Sequence, residues 1–254
     1  MGRTYLITFV CTIAFGCNAQ DTTTSKKHNK INSLSDLYYK NNKGDSLPSK
    51  SLGTVSKGTL ENGKLMPNEG ENFSYFSAES YLAGRAYTHE KVMKTVLATY
   101  ASLGKKYPGR QFKLMECSNE KGGKIWPHHT HQNGLSVDFM MPLKQSDSAY
   151  YKLDDRGRAH YLLDFDDRGR YSADSTVSID FDLVAKQILI LDEQARKNHL
   201  KVSKVIIKIE LKDELYSTPH GKKLKAKGIY VVKALTPLIN DLHDDHFHID
   251  FEEI

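Results

Sequence analysis

His128-His-Thr-His-Gln-Asn-Gly-Leu-Ser-Val-Asp-Phe-Met-Met-Pro142 and, far downstream, His243-Asp-Asp-His-Phe-His-Ile-Asp250 together hold six of the chain's eleven histidines. Side chains on a β-strand alternate between two faces. In the second stretch this puts Phe247, Ile249 and Phe251 on one face and His246, His248 and Asp250 on the other. In the first it groups Leu135, Val137 and Phe139 against Ser136, Asp138 and Met140. Each stretch reads as a strand with an apolar back and a front that carries ligand chemistry. Two such fronts can build one site.

The neighbouring segments supply a frame for these strands. Leu135 to Met141 and His246 to Phe251 are predicted strands, as is Gln111 to Cys117, with a Gly- and His-rich loop between the first and the last of these. Tyr81, Leu82, Ala86, Val92, Val96, Leu97 and Tyr100 recur at near-helical spacing and predict a helix from Glu79 to Leu103, stopped by Gly104 and Pro108. A second helix fits Phe181 to His199, and a buried strand fits Val205 to Ile209. Ser51 to Tyr75, with Gly53, Gly58, Gly63, Gly70 and Pro67, predicts turns and short strands. Asp-Asp-Arg-Gly-Arg occurs at 154–158 and again at 166–170. Two short copies cannot make a solenoid, so they predict a twin-turned β excursion on the surface.

Two imidazoles and one carboxylate around a vacant fourth position form the ligand set of a catalytic zinc. His131, Asp138 and His248 can supply it. His128 reads either as an accessory residue of that metal site or as a solvated loop histidine. Zinc chemistry also needs a neighbouring base to take the proton of the attacking water. His246 shares a strand face with His248 and suits that role; His243 is a second candidate. A lone His-x-His is usually a polar strand face, and His131 with Asp138 alone could merely orient a loop, so the metal reading rests on their joint presence. His129, His160 and His199 read as structural or exposed, and His220 as a turn residue.

His128-x-x-His131-Gln-x-Gly-x-x-x-Asp138 and His243-x-x-His246-x-His248 resemble the two blocks of the penicillin-insensitive murein endopeptidases, within the zinc peptidases that also include lysostaphin-type and D-Ala-D-Ala enzymes. Gly53 to Pro67 and Arg85-Ala-Tyr-Thr-His89 extend the likeness more loosely. The resemblance implies an α+β domain built on a small, mainly antiparallel central sheet with flanking helices and long loops. It also implies one zinc ion, held by His131, Asp138 and His248, with His246 and His243 catalytic, and hydrolysis of D-alanyl cross-links between peptidoglycan stem peptides. Three features depart from the family pattern: the charged excursion at 144–180, the solitary Cys117, and Asp250 where a basic residue is expected.

The N-terminus frames this domain. Arg3 precedes an apolar run from Tyr5 to Phe15, 11 residues long, short of the ~20 needed to span a bilayer. Residues 1–19 therefore read as a secretory signal peptide, cleaved after Ala19, with a lipid anchor on Cys17 as the competing route. Gln20 to Lys50 reads as a flexible linker and 51–254 as the zinc peptidase domain, acting in the periplasm. Of Cys11, Cys17 and Cys117 only the last falls in this domain, so no intrachain disulfide is available.

Hydrophobic residues at 39% and charged residues at 26% fit an ordinary globular domain. Losing residues 1–19 removes one charge, Arg3, and takes the formal +5 to +4, a mild bias toward acidic partners. Two rival activities share parts of the pattern. A zinc D-Ala-D-Ala carboxypeptidase would need a cation for the substrate carboxylate, and Arg85, Arg110 and Lys124 are available. A metal-dependent nuclease would favour several carboxylates around magnesium and a basic track, so nucleic acid is not expected as a partner. A wall-binding module without activity would close its zinc with a fourth ligand and leave His246 and His243 without a task.

Overall fold

The computed structural model describes residues 34–254; the expected signal peptide, its Cys17 alternative and residues 20–33 lie outside them. Helix α1 covers 34–42 and is followed by β1 (Lys50–Thr54), β2 (Lys57–Glu61), β3 (Lys64–Leu65), β4 (Phe73–Tyr75), α2 (Ala78–Leu82), β5 (Tyr87–Thr88), α3 (Glu90–Lys106) and β6 (Phe112–Leu114). Then come β7 (Ser136–Met140), β8 (Leu143–Gln145), β9 (Ser148–Tyr150), a 3-10 helix (Gly157–Leu162), β10 (Arg170–Tyr171), β11 (Asp174–Ile179) and α4 (Phe181–Lys197). The chain continues through β12 (Leu200–Ile206), α5 (Lys212–Ser217), α6 (Pro219–Ala226), α7 (Pro237–Asp241) and β13 (His246–Glu253). This is the expected α+β class.

The main sheet runs β12-β13-β7-β6-β4, antiparallel except for the parallel pair β4 and β6. Its core face follows the alternation of the sequence. Phe139 of β7 stacks on Phe247 of β13 with ring centroids 5.2 Å apart, and Tyr100 of α3 meets Phe139 edge-on at 6.3 Å. Both Phe side chains are fully buried, each contributing about 1.5–3 kcal/mol. Helix α3 turns Val92, Thr95, Val96, Thr99, Tyr100 and Leu103 inward, a three-four spacing that gives it one buried stripe. Helix α4 packs beside it and covers β12. With that face filled, the opposite face is left for His246, His248, Asp138 and Asp250, all of them buried.

Some expected elements differ in place. The single helix over 79–103 is broken, because Gly84 takes a left-handed φ of 77° and Tyr87–Thr88 leave the helix to pair with Lys64–Leu65. A fresh helix then starts at Glu90, where His89 Nδ1 accepts the Lys91 amide at 3.1 Å as an N-cap. The strand expected at 205–209 runs instead over Leu200–Ile206, its half-buried Lys201 and Lys204 pairing with Glu252 and Asp250 of β13. Packing also begins before Ser51, inside the stretch read as a tether. Tyr38 meets Tyr81 edge-on at 5.8 Å, and Lys64 Nζ donates to the carbonyls of Asp45 and Leu47 at 2.8 and 2.7 Å.

The 144–180 excursion is not a pair of equal turns. Strands β8 to β11 form a second small sheet, but only the second Asp-Asp-Arg-Gly-Arg makes a turn into a strand; the first leads into the 3-10 helix. Nor does it stay on the surface, since His160 and Phe165 are buried. Asp154 is buried with it, and desolvation pushes its carboxyl up to about 7 against the pull of Lys113. The folded chain then keeps this proton to about pH 7 while the unfolded chain releases it near pH 4. Stability falls as pH rises through that window, by up to about 4 kcal/mol. Asp154→Asn should therefore raise the melting temperature at pH 8 much more than at pH 5. Equal shifts at both pH values would remove the ionisation argument.

Candidate active site

Strands β7 and β13 pair in a register that sets His248 against Asp138 and Asp250 against Ser136. The loop before β7 brings the remaining histidines over this face. It is pinned by the β1–β2 hairpin: the Gln132 amide donates to the Val55 carbonyl at 3.0 Å, and Ser51 Oγ to the Asn133 carbonyl at 2.7 Å. Within it His131 is fully buried at a left-handed φ of 65°, a strained backbone of the kind that clusters at functional sites.

Three atoms converge at its centre. Asp138 Oδ1 lies 2.8 Å from His248 Nδ1 and 3.2 Å from His131 Nε2, and the two imidazole nitrogens are 3.0 Å apart. The other ring nitrogen of His248, Nε2, donates to Asp250 Oδ1 at 2.6 Å, and Ser136 Oγ donates to the same oxygen. Asp250 in turn is balanced by Lys204, 2.6 Å away. With Nε2–H committed, a neutral His248 points the lone pair of Nδ1 at a carboxylate oxygen. A proton or another cation must lie between them. Burial opposes a charge on His248, but Asp250 and Asp138 raise its pKa to about 9. Asp138 is held well below the usual carboxylate range by His131 and His248 despite its burial, and burial lowers the pKa of His131 against the pull of Asp138.

His128 extends the cluster. Its Nε2 donates to Glu116 Oε2 at 2.6 Å, leaving Nδ1 turned to Asp138 Oδ2 at 3.6 Å. Donor atoms of His128, His131 and Asp138 lie within 4.8 Å of one another, a spacing that can hold a metal ion. Asp138 Oδ2 and His131 Nδ1 are buried without a hydrogen-bond partner. This donor set fits a cation: imidazole lone pairs and a carboxylate face one point, out of water, with a carboxylate behind His248 of the kind that fixes metal-binding histidines.

His246 and His243 sit beside the cluster, with rings 4.8 Å apart. His246 Nδ1 is 2.5 Å from Asp245 Oδ1, and although burial disfavours its charge, Asp245 raises its pKa. The free nitrogen is therefore Nε2. His243 Nδ1 donates to the Ile239 carbonyl at 2.6 Å, and burial, reinforced by His246, lowers it to about 3, so it stays a neutral acceptor.

All six histidines and aspartates expected at the site are thus brought together: His128, His131, Asp138, His243, His246 and His248. Glu116, Asp245 and Tyr161 were not expected there. Glu116 is buried and takes Ser80 Oγ at 2.6 Å as well as His128, while Arg85 Nε lies 3.3 Å away. Its backbone carbonyl also accepts the Asp138 amide at 2.9 Å. Asp245 stands one residue before His246, where strand alternation does not mark it. His160, read as structural or exposed, is fully buried with Nε2 at 3.7 Å from Asp245 Oδ2. His129 and His199 are exposed, and His220 starts α6 bound to Asp182 at 2.7 Å. Of the cations weighed for a substrate carboxylate, Arg85 is taken by Glu116 and the Trp126 carbonyl. Arg110 is bound to the Leu143 carbonyl at 2.8 Å, and Lys124 is exposed on the loop.

A buried cluster of histidines and aspartates, set on two antiparallel strands and the loop before β7, is the kind of site that can hold a metal ion. The chain belongs to the penicillin-insensitive murein endopeptidases, whose family model matches residues 51–252. No curated protein matches it significantly. The family makes it a peptidase of peptidoglycan. No helix among the described residues is long and apolar enough to cross a membrane.

Proposed function

We propose that this chain is an exported zinc endopeptidase that hydrolyses the D-alanyl cross-link amides of peptidoglycan stem peptides in the periplasm. The observation that carries the reading is the convergence of His131 Nε2, His248 Nδ1 and Asp138 Oδ1 within 3.2 Å of one another. A nitrogen-rich set of this kind suits zinc better than magnesium or calcium. His131, Asp138 and His248 would hold the ion, with His128 beside them as an accessory. Bound there, zinc supplies a water of pKa about 7 and a polarised amide carbonyl.

The remaining work falls to the chain's own side chains. Asp245 holds His246 Nδ1 and so leaves Nε2 to accept the proton of the attacking water and return it to the leaving amine. His243, neutral and with its Nδ1 tied to a carbonyl, offers a second acceptor. Arg85 is already paired with Glu116, which favours cleavage within cross-links over a carboxypeptidase that must hold a terminal carboxylate.

Acyl-enzyme chemistry has no support in the same region. Ser102 and Lys105, and Ser118 and Lys121, have Ser-x-x-Lys spacing, but both lysines are exposed. Ser102 Oγ donates to the Ala98 carbonyl, and Ser118 Oγ accepts the Gly134 amide. The full exported chain, given purified peptidoglycan, should convert cross-linked muropeptide dimers to monomers, stop with a chelator and ignore β-lactams. Linear pentapeptides should stay intact. Chelator-resistant, penicillin-sensitive cleavage would overturn the zinc reading, and loss of one D-alanine from pentapeptides would replace endopeptidase by carboxypeptidase.

A further inference from the structure

We propose that Tyr161 is a catalytic residue, its phenolic O–H meeting the carbonyl oxygen of the scissile amide as negative charge builds there. The inference rests on the peptidase reading above. It comes from the 144–180 excursion, which lies within the residues that the family model matches.

The 3-10 helix Gly157–Leu162 carries Tyr161 against the site. Its ring meets the His246 ring edge-on, with centroids 5.4 Å apart and planes at 82°. Phe76 packs on it at 5.5 Å, and the helix is seated by His160, whose Nδ1 lies 3.3 Å from the Leu153 carbonyl and whose Nε2 faces Asp245. The ring is therefore held by apolar contacts that need no hydroxyl. The hydroxyl itself is buried and has no hydrogen-bond partner. A buried polar group is normally paired. Burial, with the charges of Glu116, Asp138 and Asp245, raises this phenol well above its ordinary range, so it is a donor throughout the neutral range. None of those carboxylates accepts it: the phenol makes no hydrogen bond to Glu116, Asp138 or Asp245, although Asp138 Oδ2 and Asp245 Oδ2 are themselves left unpaired. An O–H kept protonated, unclaimed and next to the proton-accepting histidine is placed for a partner that arrives with the substrate.

The step balances without another reagent. Water oxygen bonds to the carbonyl carbon while its proton passes to His246 Nε2, and the C=O π pair moves onto oxygen, where the Tyr161 O–H donates its hydrogen bond. On collapse the π bond re-forms, the C–N bond breaks, and the proton on His246 goes to the departing amine. Tyr161 keeps its own proton throughout.

Tyr161→Phe preserves the ring and removes only this donor. Zinc-loaded parent and variant are compared on purified cross-linked muropeptide dimers. Expected is a fall in kcat of about 10²–10³-fold, as for loss of one oxyanion donor, with KM little changed and zinc content unchanged. The melting temperature should be equal or higher, since an unpaired buried hydroxyl has gone. Parental kcat in the variant, or a change confined to KM, overturns the proposal; so does lost zinc or a lowered melting temperature, which would make the hydroxyl structural. A parent that leaves the dimers intact overturns the peptidase reading and this inference with it.

Discussion

Asp138→Asn should empty the metal site and silence the enzyme in one step. Asp138 is the only residue of the cluster that faces all three of its histidines: Oδ1 meets His131 and His248, and Oδ2 lies 3.6 Å from His128. An amide in its place keeps the shape but loses the charge that draws both imidazoles to one point. The expected loss of zinc affinity exceeds the roughly 10–100-fold that removal of an outer partner costs, and wall hydrolysis should fall below detection. Elemental analysis of the purified variant is the check. Stoichiometric zinc in Asp138→Asn would show that the ion is held elsewhere.

His246→Ala should give the opposite combination, a metal content like the parent's with turnover reduced by about 10²–10⁴-fold, the usual contribution of a general base. Its Nδ1 is committed to Asp245, and no atom of its ring belongs to the three-atom convergence. His243→Ala should behave alike in kind, with a smaller loss. Single-turnover hydrolysis of dimers with zinc measured in parallel separates the two classes. Parental rates in both variants would mean that some other group takes the proton.

How much of this was legible follows from how local each signal is. Alternation along β13 and β7 was enough to place His248 with Asp138 and to bury Phe247 and Phe139, because a strand's two faces are fixed by the pleat alone. The same alternation put Asp250 beside His248, although its task, holding His248 Nε2, needed coordinates. Helix spacing found α3 and α4. It ran α2 into α3 because the break depends on Gly84 and on strand pairing with Lys64–Leu65, a contact that leaves no periodic trace. Glu116, His160 and Tyr161 escaped for the same reason. Each meets its site partners only in three dimensions, and a buried Glu, His or Tyr resembles any other in sequence.

The placement of β13 between β12 and β7 also sets the order of events when the chain is made. His246 and His248 lie on the strand that closes the middle of the main sheet, while His131 and Asp138 precede it by more than a hundred positions. A polypeptide emerging N-terminus first carries half a cluster and an open sheet until that strand arrives. Sheet closure and site assembly are then one event, dependent on a long-range pairing that is slow to form. Until that strand docks, the wall-cutting centre is unbuilt, however much of the chain has already folded.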